Sequence, residues 1–145
     1  MLAGHVALAL AVSGIVLAIA GVHAYWGCGG IWPAPSSERL ARAVVGTPGI
    51  QAMPSARACF VVAALLAGVG TWPLFAAGII AEPWPHWFTS LAGAGIASVF
   101  LGRGVAGYTS AWRRRFGERP FANLDRRAYS PLCLLLGASY IALLL

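Results

Sequence analysis

The sequence predicts an all-α polytopic membrane protein, with four transmembrane helices in a compact antiparallel bundle and both termini external. Composition is the first reason: 59% of the 145 residues are hydrophobic, 10% are charged, and the mean hydropathy is +0.77. Soluble domains carry about a quarter charged residues, so lipid is the expected solvent for most of the chain. Long apolar stretches are the second reason, and the confinement of basic residues to the connections between them is the third.

A single domain, 1–145, holds the four predicted spans, at about residues 2–26, 59–81, 86–108 and 130–145. A helix needs about 20 apolar residues to cross a hydrocarbon core of roughly 30 Å. Because lipid tolerates only elements that satisfy their own backbone hydrogen bonds, runs without polar alternation favour helices over strands. The first stretch lacks a basic flank and exceeds the length of a signal core, which indicates a permanent span. The last is short and spans only if the chain end reaches the far interface.

The basic residues determine the expected orientation. There are ten, and all of them are Arg. They lie in the connections 27–58 and 109–129, with Arg103 at the border of the second. Because short loops rich in Arg remain in the cytoplasm, these two connections are predicted to be cytoplasmic and both termini external. The expected location is the cell membrane, crossed several times.

Two shorter patterns predict how the spans pack. The connection at 82–86 is brief enough to force the second and third spans into an antiparallel hairpin. Ala94, Ser98, Gly102 and Ala106 recur at steps of four along the third span. Since small residues let helix backbones approach in lipid, this stripe predicts a helix contact, either within one chain or between two chains.

The Arg-rich connections carry patterns of their own. In the first, Ser36 or Ser37 can cap a short surface helix with Leu40, Val44 and Val45 on one side. The second mixes Arg with aromatic side chains such as Trp112 and Phe116. Basic and aromatic residues beside a span predict contact with anionic lipid headgroups, worth about 1 kcal/mol per Arg. Nucleic acid is the competing partner and is not expected, because the loop is held at the membrane.

The candidate functional residues all fall at the predicted cytoplasmic end of the spans. They are His23, Tyr25, Trp26, Arg103, Tyr108, Asp125, Tyr129 and Ser130. An ionisable group such as Arg103 at this depth is a functional-site hypothesis by default. Ser130 as N-cap, with Pro131 at the first helical position, predicts a helix start whose free amides and positive dipole could bind an anion.

Each candidate also has a structural explanation. Arg103 can extend to the headgroups or form an ion pair with Asp125. His23 can be a hydrogen-bonded packing residue, and the aromatic residues can be interfacial anchors. Cys28, Cys59 and Cys133 lie at the same end, but they match no known metal-ligand spacing, so we assign no metal site and leave the cofactor unknown.

Several short motifs lie near the predicted cytoplasmic end of the spans. They are His23 with Tyr25 and Trp26, Gly29-Gly30, Trp32-Pro33, Arg103, Gly107-Tyr108, Phe121, Leu124-Asp125, and Tyr129-Ser130-Pro131-Leu132-Cys133. Together they resemble the domain-of-unknown-function 3995 family of small bacterial membrane proteins with four helices. The resemblance covers nearly the whole chain. It implies an integral membrane location and no assigned activity.

Three classes of function remain open. In the first, a pocket at the cytoplasmic end binds an anionic amphiphile, such as a lipid, prenyl phosphate or quinone-like molecule, and an enzymatic reaction on it is undecided. Arg103 and Ser130 would hold the head, the aromatic residues Tyr25, Trp26 and Tyr108 would line the tail, and the acid and base candidates would be His23, Asp125 and Tyr129. In the second, the chain is a non-catalytic structural or assembly subunit of a larger membrane complex. A transporter or channel formed by oligomers comes third, because the spans hold few polar groups. The protein partner would be a second copy of the chain, in a homo-oligomer, or another membrane subunit.

Overall fold

The computed structural model describes residues 2–145, in which every regular element is helical. The elements in chain order are α1 (Leu2–Gly27), α2 (Ser37–Val44), α3 (Ala56–Ala76), α4 (His86–Ala106), α5 (Ser110–Arg115), α6 (Phe121–Leu124), a π-helical turn (Asp125–Tyr129) and α7 (Ser130–Ala142). The all-α prediction is therefore confirmed for the described part of the chain.

Three helices are long and apolar enough to cross a membrane by length and composition, namely α1, α3 and α4. The 13-residue α7 is about 20 Å long at 1.5 Å per residue, which is short of a hydrocarbon core of roughly 30 Å. The π turn, however, joins α6 to α7 without a break in helical backbone. Residues 121–142 thus form one helical rod about 33 Å long.

The second predicted span ends earlier than the sequence suggested. α3 stops at Ala76, whereas the apolar run continues to residue 81. Gly78 adopts a φ of +66°, and the N–H groups of Ile79 and Ile80 both donate to the carbonyl of Leu74. Because a residue with positive φ closes the last carbonyls of a helix, hydrophobicity alone misplaced this boundary.

The long helices form two pairs. In the first pair, α1 packs against α3 in the opposite direction: Gly70 lies against Leu17, and Gly27 lies against the ring of Phe60. The hydroxyl of Ser13 donates to the carbonyl of Gly70 over 2.6 Å. A buried hydroxyl bonded across the pair satisfies a group that would be costly to leave unpaired in an apolar interior.

In the second pair, α4 packs against α7, again in the opposite direction. Gly104 lies against Leu134, and Gly137 lies against Leu101. Each glycine contacts a leucine of the other helix, and a Cβ at either position would collide with that leucine. The two backbones can approach closely for this reason.

Aromatic side chains join the two pairs at the end away from α2. Tyr140 of α7 lies between Trp72 and Phe100, with ring centroids at 5.3 Å and 5.6 Å. Its hydroxyl donates to the carbonyl of Val69 over 2.7 Å, and Trp72 donates to the carbonyl of Thr89 over 2.9 Å. Both buried polar groups find backbone acceptors, so this end of the molecule is closed.

The small-residue stripe does not join helices within the chain. Ala94, Ser98 and Gly102 are exposed on the outer face of α4, while Gly93 and Ala97 are buried. The chain's own contact thus uses the neighbouring face of the helix. The periodicity was the same on both faces, which is why the sequence left the partner open.

The short helix predicted in the first connection is present as α2. Ser36 caps it and accepts a hydrogen bond from the N–H of Arg39 over 3.3 Å. It is not a freely exposed surface helix, however, since Leu40 and Ala41 are fully buried. Gly46, with a φ of +76°, follows its last turn and lies directly against the ring of Phe121. α2 is therefore docked against α6, across one end of the helix pairs.

Candidate functional site

A cleft of about 640 Å³ lies between the two helix pairs at the end covered by α2. Its volume falls within the range of about 300–1,000 Å³ that is typical of small-molecule sites. Residues from seven helical elements line it: Val16, Ala18, Ile19, Val22, His23, Trp26, Val44, Val62, Leu66, Phe100, Arg103, Phe121, Tyr129, Leu132, Cys133 and Leu136. The structure thus brings four of the predicted site residues to one space: His23, Trp26, Arg103 and Tyr129.

His23 presents an imidazole to the cleft. Its Nδ1 lies 2.8 Å from the carbonyl oxygen of Ile19, and its ring centroid lies 5.0 Å from that of Trp26. A carbonyl can only accept, so Nδ1 is the protonated nitrogen of this contact. In the neutral ring Nε2 then carries a lone pair, which makes His23 an acceptor toward a ligand or a base.

Tyr129 connects the cleft to α2. Its hydroxyl donates to the carbonyl of Ala43 over 3.2 Å, so it holds the last turn of α2 over the π turn. Val44, the next residue of α2, contributes to the cleft wall. The phenol oxygen keeps lone pairs that can accept a hydrogen bond.

Arg103 is engaged by an acidic partner behind the cleft. Its NH2 donates to Oδ1 of Asp125 over 2.5 Å, and its NH1 lies 3.4 Å from the hydroxyl of Ser130. The guanidinium carbon lies 4.3 Å from the centroid of the Trp112 ring. The structure therefore shows the ion pair that the sequence left open as one explanation of Arg103.

Asp125 is almost completely buried, with 3% of its surface exposed. Besides Arg103, it accepts hydrogen bonds from the indole of Trp112 over 3.0 Å and the hydroxyl of Ser130 over 3.3 Å. Gly107 lies directly against this group, and a Cβ there would collide with the Ser130 hydroxyl. Asp125 and Ser130 thus position Arg103 and do not line the cleft.

α7 begins at Ser130, but the prediction of a free helix N-terminus with Ser130 as N-cap is wrong. The residues before it are already helical, and Tyr129 and Ser130 both have right-handed helical backbone angles. The N–H of Ser130 donates to the carbonyl of Asp125, which closes the π turn. Pro131 has no N–H, so this junction offers no free amides to an anion. Pro131 here marks the junction between the π turn and α7, and it lacks a backbone N–H.

Two aromatic candidates lie outside the cleft. Tyr25 is 47% exposed, and its ring covers Gly30. Tyr108 is also exposed, and its hydroxyl donates to the carbonyl of Arg126 over 3.3 Å. Neither lines the space that holds His23 and Arg103.

A second groove, of about 540 Å³, runs along the outer face of α1 and is lined by Ala18, Gly21, Val22, Tyr25 and Trp32. It shares Ala18 and Val22 with the cleft. Ala18 is exposed and carries the smallest side chain that a chiral residue can have. Ala18 and Val22 therefore border both the cleft and the groove.

An ion pair outside the long helices holds α2 in place. Arg42 donates to Oε1 of Glu118 from Nε over 2.9 Å and from NH2 over 2.7 Å, and the N–H of Gly49 lies 3.3 Å from Oε2. The hydrogen bonds from Arg42 and then Gly49 lower the pKa of Glu118 below its ordinary value. The two Arg-rich connections are joined by this carboxylate.

Sequence reasoning missed several residues of the site. Val44 and Phe121 form its covered end, and Trp112 supports Arg103 from behind. The apolar side of α2 was visible in the sequence, but nothing in the sequence indicated what it would cover. Trp112 and Phe121 were read as part of a lipid-binding loop, because basic residues surround them. In residues 2–145 no three His, Cys, Asp or Glu side chains are grouped closely enough to hold a metal ion.

Comparison with known families agrees with the motifs that lie around the cleft. The model of a family described as "Protein of unknown function (DUF3995)" matches residues 16–140. The chain belongs to this family. The matched segment contains every residue that lines the cleft, from Val16 to Leu136. No curated protein and no solved structure matches the chain, so the family description identifies the chain without assigning it an activity.

Proposed function

We propose that this DUF3995 protein is an integral membrane protein that binds a lipid-like amphiphile in the cleft. The apolar walls hold the tail, and the polar head lies beside His23, Arg103 and Tyr129. One observation carries the proposal: the cleft is apolar along most of its surface, and its polar groups gather at one end, under α2. This is the distribution that an amphiphile requires.

The membrane arrangement is part of the same proposal. Three helices suit a membrane by length and composition, and we place the apolar part of the rod, from Tyr129 onward, as the fourth span, with Arg126 and Arg127 at the cytoplasmic interface. We place both termini outside and the two Arg-rich connections in the cytoplasm, in the cell membrane. The Arg distribution supports this orientation, because Arg-rich short loops are retained on the cytoplasmic side.

Access is lateral, from the lipid. The groove beside Tyr25 and Trp32 leads to the cleft at Ala18, so a tail can slide in without leaving an apolar environment. Tyr25 then acts at the mouth and not inside the site. At the cytoplasmic surface, Arg113, Arg114 and Arg115 of α5 provide the attraction to anionic headgroups.

Any reaction on the bound head falls to His23 and Tyr129. His23 has the Nε2 lone pair that a general base needs, and Tyr129 has a hydroxyl that is held in place by α2. Asp125 is removed from this role, because its carboxylate already accepts hydrogen bonds from Arg103, Trp112 and Ser130. Binding is therefore the primary function, and chemistry is secondary to it.

Native mass spectrometry of the protein released from membranes tests the proposal. We expect a copurified molecule on the wild-type chain and its loss in Ala18→Phe, because the larger side chain closes the mouth. Ala11→Phe is the matched control: Ala11 is exposed on the same helix and lines no described cavity, so its variant should keep the bound mass. An empty wild-type protein, or equal loading of both variants, contradicts the proposal. A chain that is stable only beside a second chain would favour the alternative, a non-catalytic subunit of a larger assembly.

A further inference from the structure

We infer that the head of the bound amphiphile is an uncharged hydrogen-bond acceptor, such as an alcohol or a carbonyl, and not an anion. The inference rests on the proposed function and makes its ligand class specific. It departs from the anionic head that the sequence suggested. Two features of the polar end favour an uncharged head: the charge of Arg103 is balanced, and Arg103 keeps N–H groups that can donate to a ligand.

The charge of Arg103, at the polar end of the cleft, is balanced by Asp125. Arg103 is the one Arg among the lining residues, and Asp125 lies against its guanidinium with an N–O distance of 2.5 Å. The other polar groups are an imidazole bonded through Nδ1 and a phenol, at His23 and Tyr129. The remaining Arg residues lie outside the lining set.

Arg103 still offers hydrogen bonds. A guanidinium has five N–H donors in a planar fork. In residues 2–145, Asp125 and Ser130 accept from it, which leaves further N–H groups for a ligand. Trp112 covers the guanidinium face at 4.3 Å and limits how far the side chain can turn. Arg103 therefore offers donors to a ligand while its own charge is balanced by Asp125.

Desolvation decides between the two classes of head. An anion that enters an apolar cleft loses its hydration, and this loss is large unless an uncompensated positive charge or several donors offset it. Asp125 already compensates the charge of Arg103. A neutral oxygen loses far less on leaving water and recovers it through the free donors. The geometry thus favours a neutral acceptor over a carboxylate or phosphate with the same tail.

A matched pair of probes tests the inference. Farnesol and farnesyl phosphate share one tail and differ in the charge of the head. Binding of each radiolabelled probe to the full chain is measured in an uncharged detergent, with subtraction of the signal from protein-free micelles. We expect the wild-type protein to bind farnesol at least about tenfold more tightly.

Asp125→Asn provides the decisive variant, because it leaves the charge of Arg103 uncompensated. We expect the preference to reverse, so that farnesyl phosphate becomes the tighter ligand by about tenfold. Glu38→Gln is the control: it removes the same charge from an exposed site on α2 and should leave the preference unchanged. If Asp125→Asn does not fold, the double variant Arg103→Gln with Asp125→Asn removes both charges; it should bind farnesol more weakly than wild type, because the guanidinium donors are lost, and farnesol affinity equal to wild type would overturn the inference.

The outcomes separate the two proposals. Tighter or equal binding of farnesyl phosphate by the wild-type chain overturns the neutral-head inference and leaves the amphiphile cleft intact. An unchanged preference in a folded Asp125→Asn protein also overturns the inference. Binding of neither probe by the wild-type protein, in preparations shown to be free of endogenous ligand, contradicts the proposed function itself.

Discussion

Arg103 is the residue on which the site depends, and the sequence could identify it but not its role. Its position near the end of a predicted span marked Arg103 as a candidate functional residue, and Asp125 was one of its possible partners. The hydrogen bonds from Trp112 and Ser130 determine the role of Arg103, because they hold the buried Asp125 carboxylate next to its guanidinium. Such contacts depend on how α4, α5 and the π turn pack together, which no spacing along the chain records.

Gly107 offers a test of this buried group by stability. Gly107→Ala places a methyl group against Ser130 and Asp125, and we expect a loss of about 1–3 kcal/mol in unfolding free energy. Gly95→Ala is the matched control, because it lies in the same helix with open space around it. The control should be neutral or slightly stabilising. Reversible unfolding in mixed micelles provides the measurement, and equal stability of the two variants would refute the packing described here.

At the level of elements, the sequence predicted helices better than it predicted their ends and faces. Apolar length located α1, α3 and α4, and the serine cap located α2. It misplaced the end of α3 and the junction at Ser130, because a positive φ and a π turn leave little trace in hydropathy. It could not assign the two small-residue faces of α4 either. In lipid, hydrophobicity does not distinguish a face packed on protein from one packed on acyl chains.

The contact between α2 and the second Arg-rich connection predicts a pH dependence. Glu118 has a lowered pKa in the folded protein because Arg42 and Gly49 donate hydrogen bonds to its carboxylate. Because the pKa of Glu118 is lower in the folded than in the unfolded protein, its carboxylate stabilises the fold at pH values above the unfolded pKa. This stabilisation is lost as the pH falls through the folded pKa. Glu118→Gln should therefore lower the thermal midpoint at neutral pH, and its difference from wild type should disappear as the pH falls through the lowered pKa of Glu118.

Glu38→Gln is the control for this pH effect. Glu38 lies 3.8 Å from the same Arg42 but is exposed, so its variant should follow the wild-type midpoint at every pH. A difference between Glu118→Gln and wild type that persists in acid would mean that the carboxylate charge does not hold α2.

On the scale of the whole molecule, the chain consists of two helix pairs with a space between them. α1 packs extensively on α3, and α4 on α7, while α1 makes few contacts with α7. The aromatic residues around Tyr140 close one end, and α2 covers the other. The sequence predicted a compact bundle with its polar residues at one end, and four of these residues, His23, Trp26, Arg103 and Tyr129, line the cleft. The sequence could not predict the cleft, because a cavity depends on where packed helices leave space between their side chains.

Membrane orientation can be tested with a native cysteine. Cys28 is exposed in the first Arg-rich connection, and Cys59 and Cys133 can be replaced by Ala. A membrane-impermeant maleimide should label Cys28 only after the cells are permeabilised. Ala81→Cys, in the connection between α3 and α4, should be labelled in intact cells in a background without other cysteines. Labelling of Cys28 in intact cells would reverse the orientation and move the cleft to the outer leaflet.

The most direct test of the amphiphile cleft is a search for ligand contacts by NMR, with isotope-labelled protein and unlabelled lipid in nanodiscs. We expect nuclear Overhauser effects from non-protein alkyl protons to the methyl groups of Val22 and Leu132, and from a distinct head group to the His23 ring. Methyl groups on the outer face, such as Val99, report the surrounding bilayer and serve as the reference. Contacts between Val22 and Leu132 themselves, without ligand signals at either, would mean that α1 closes onto α7 and that no cleft exists in the membrane.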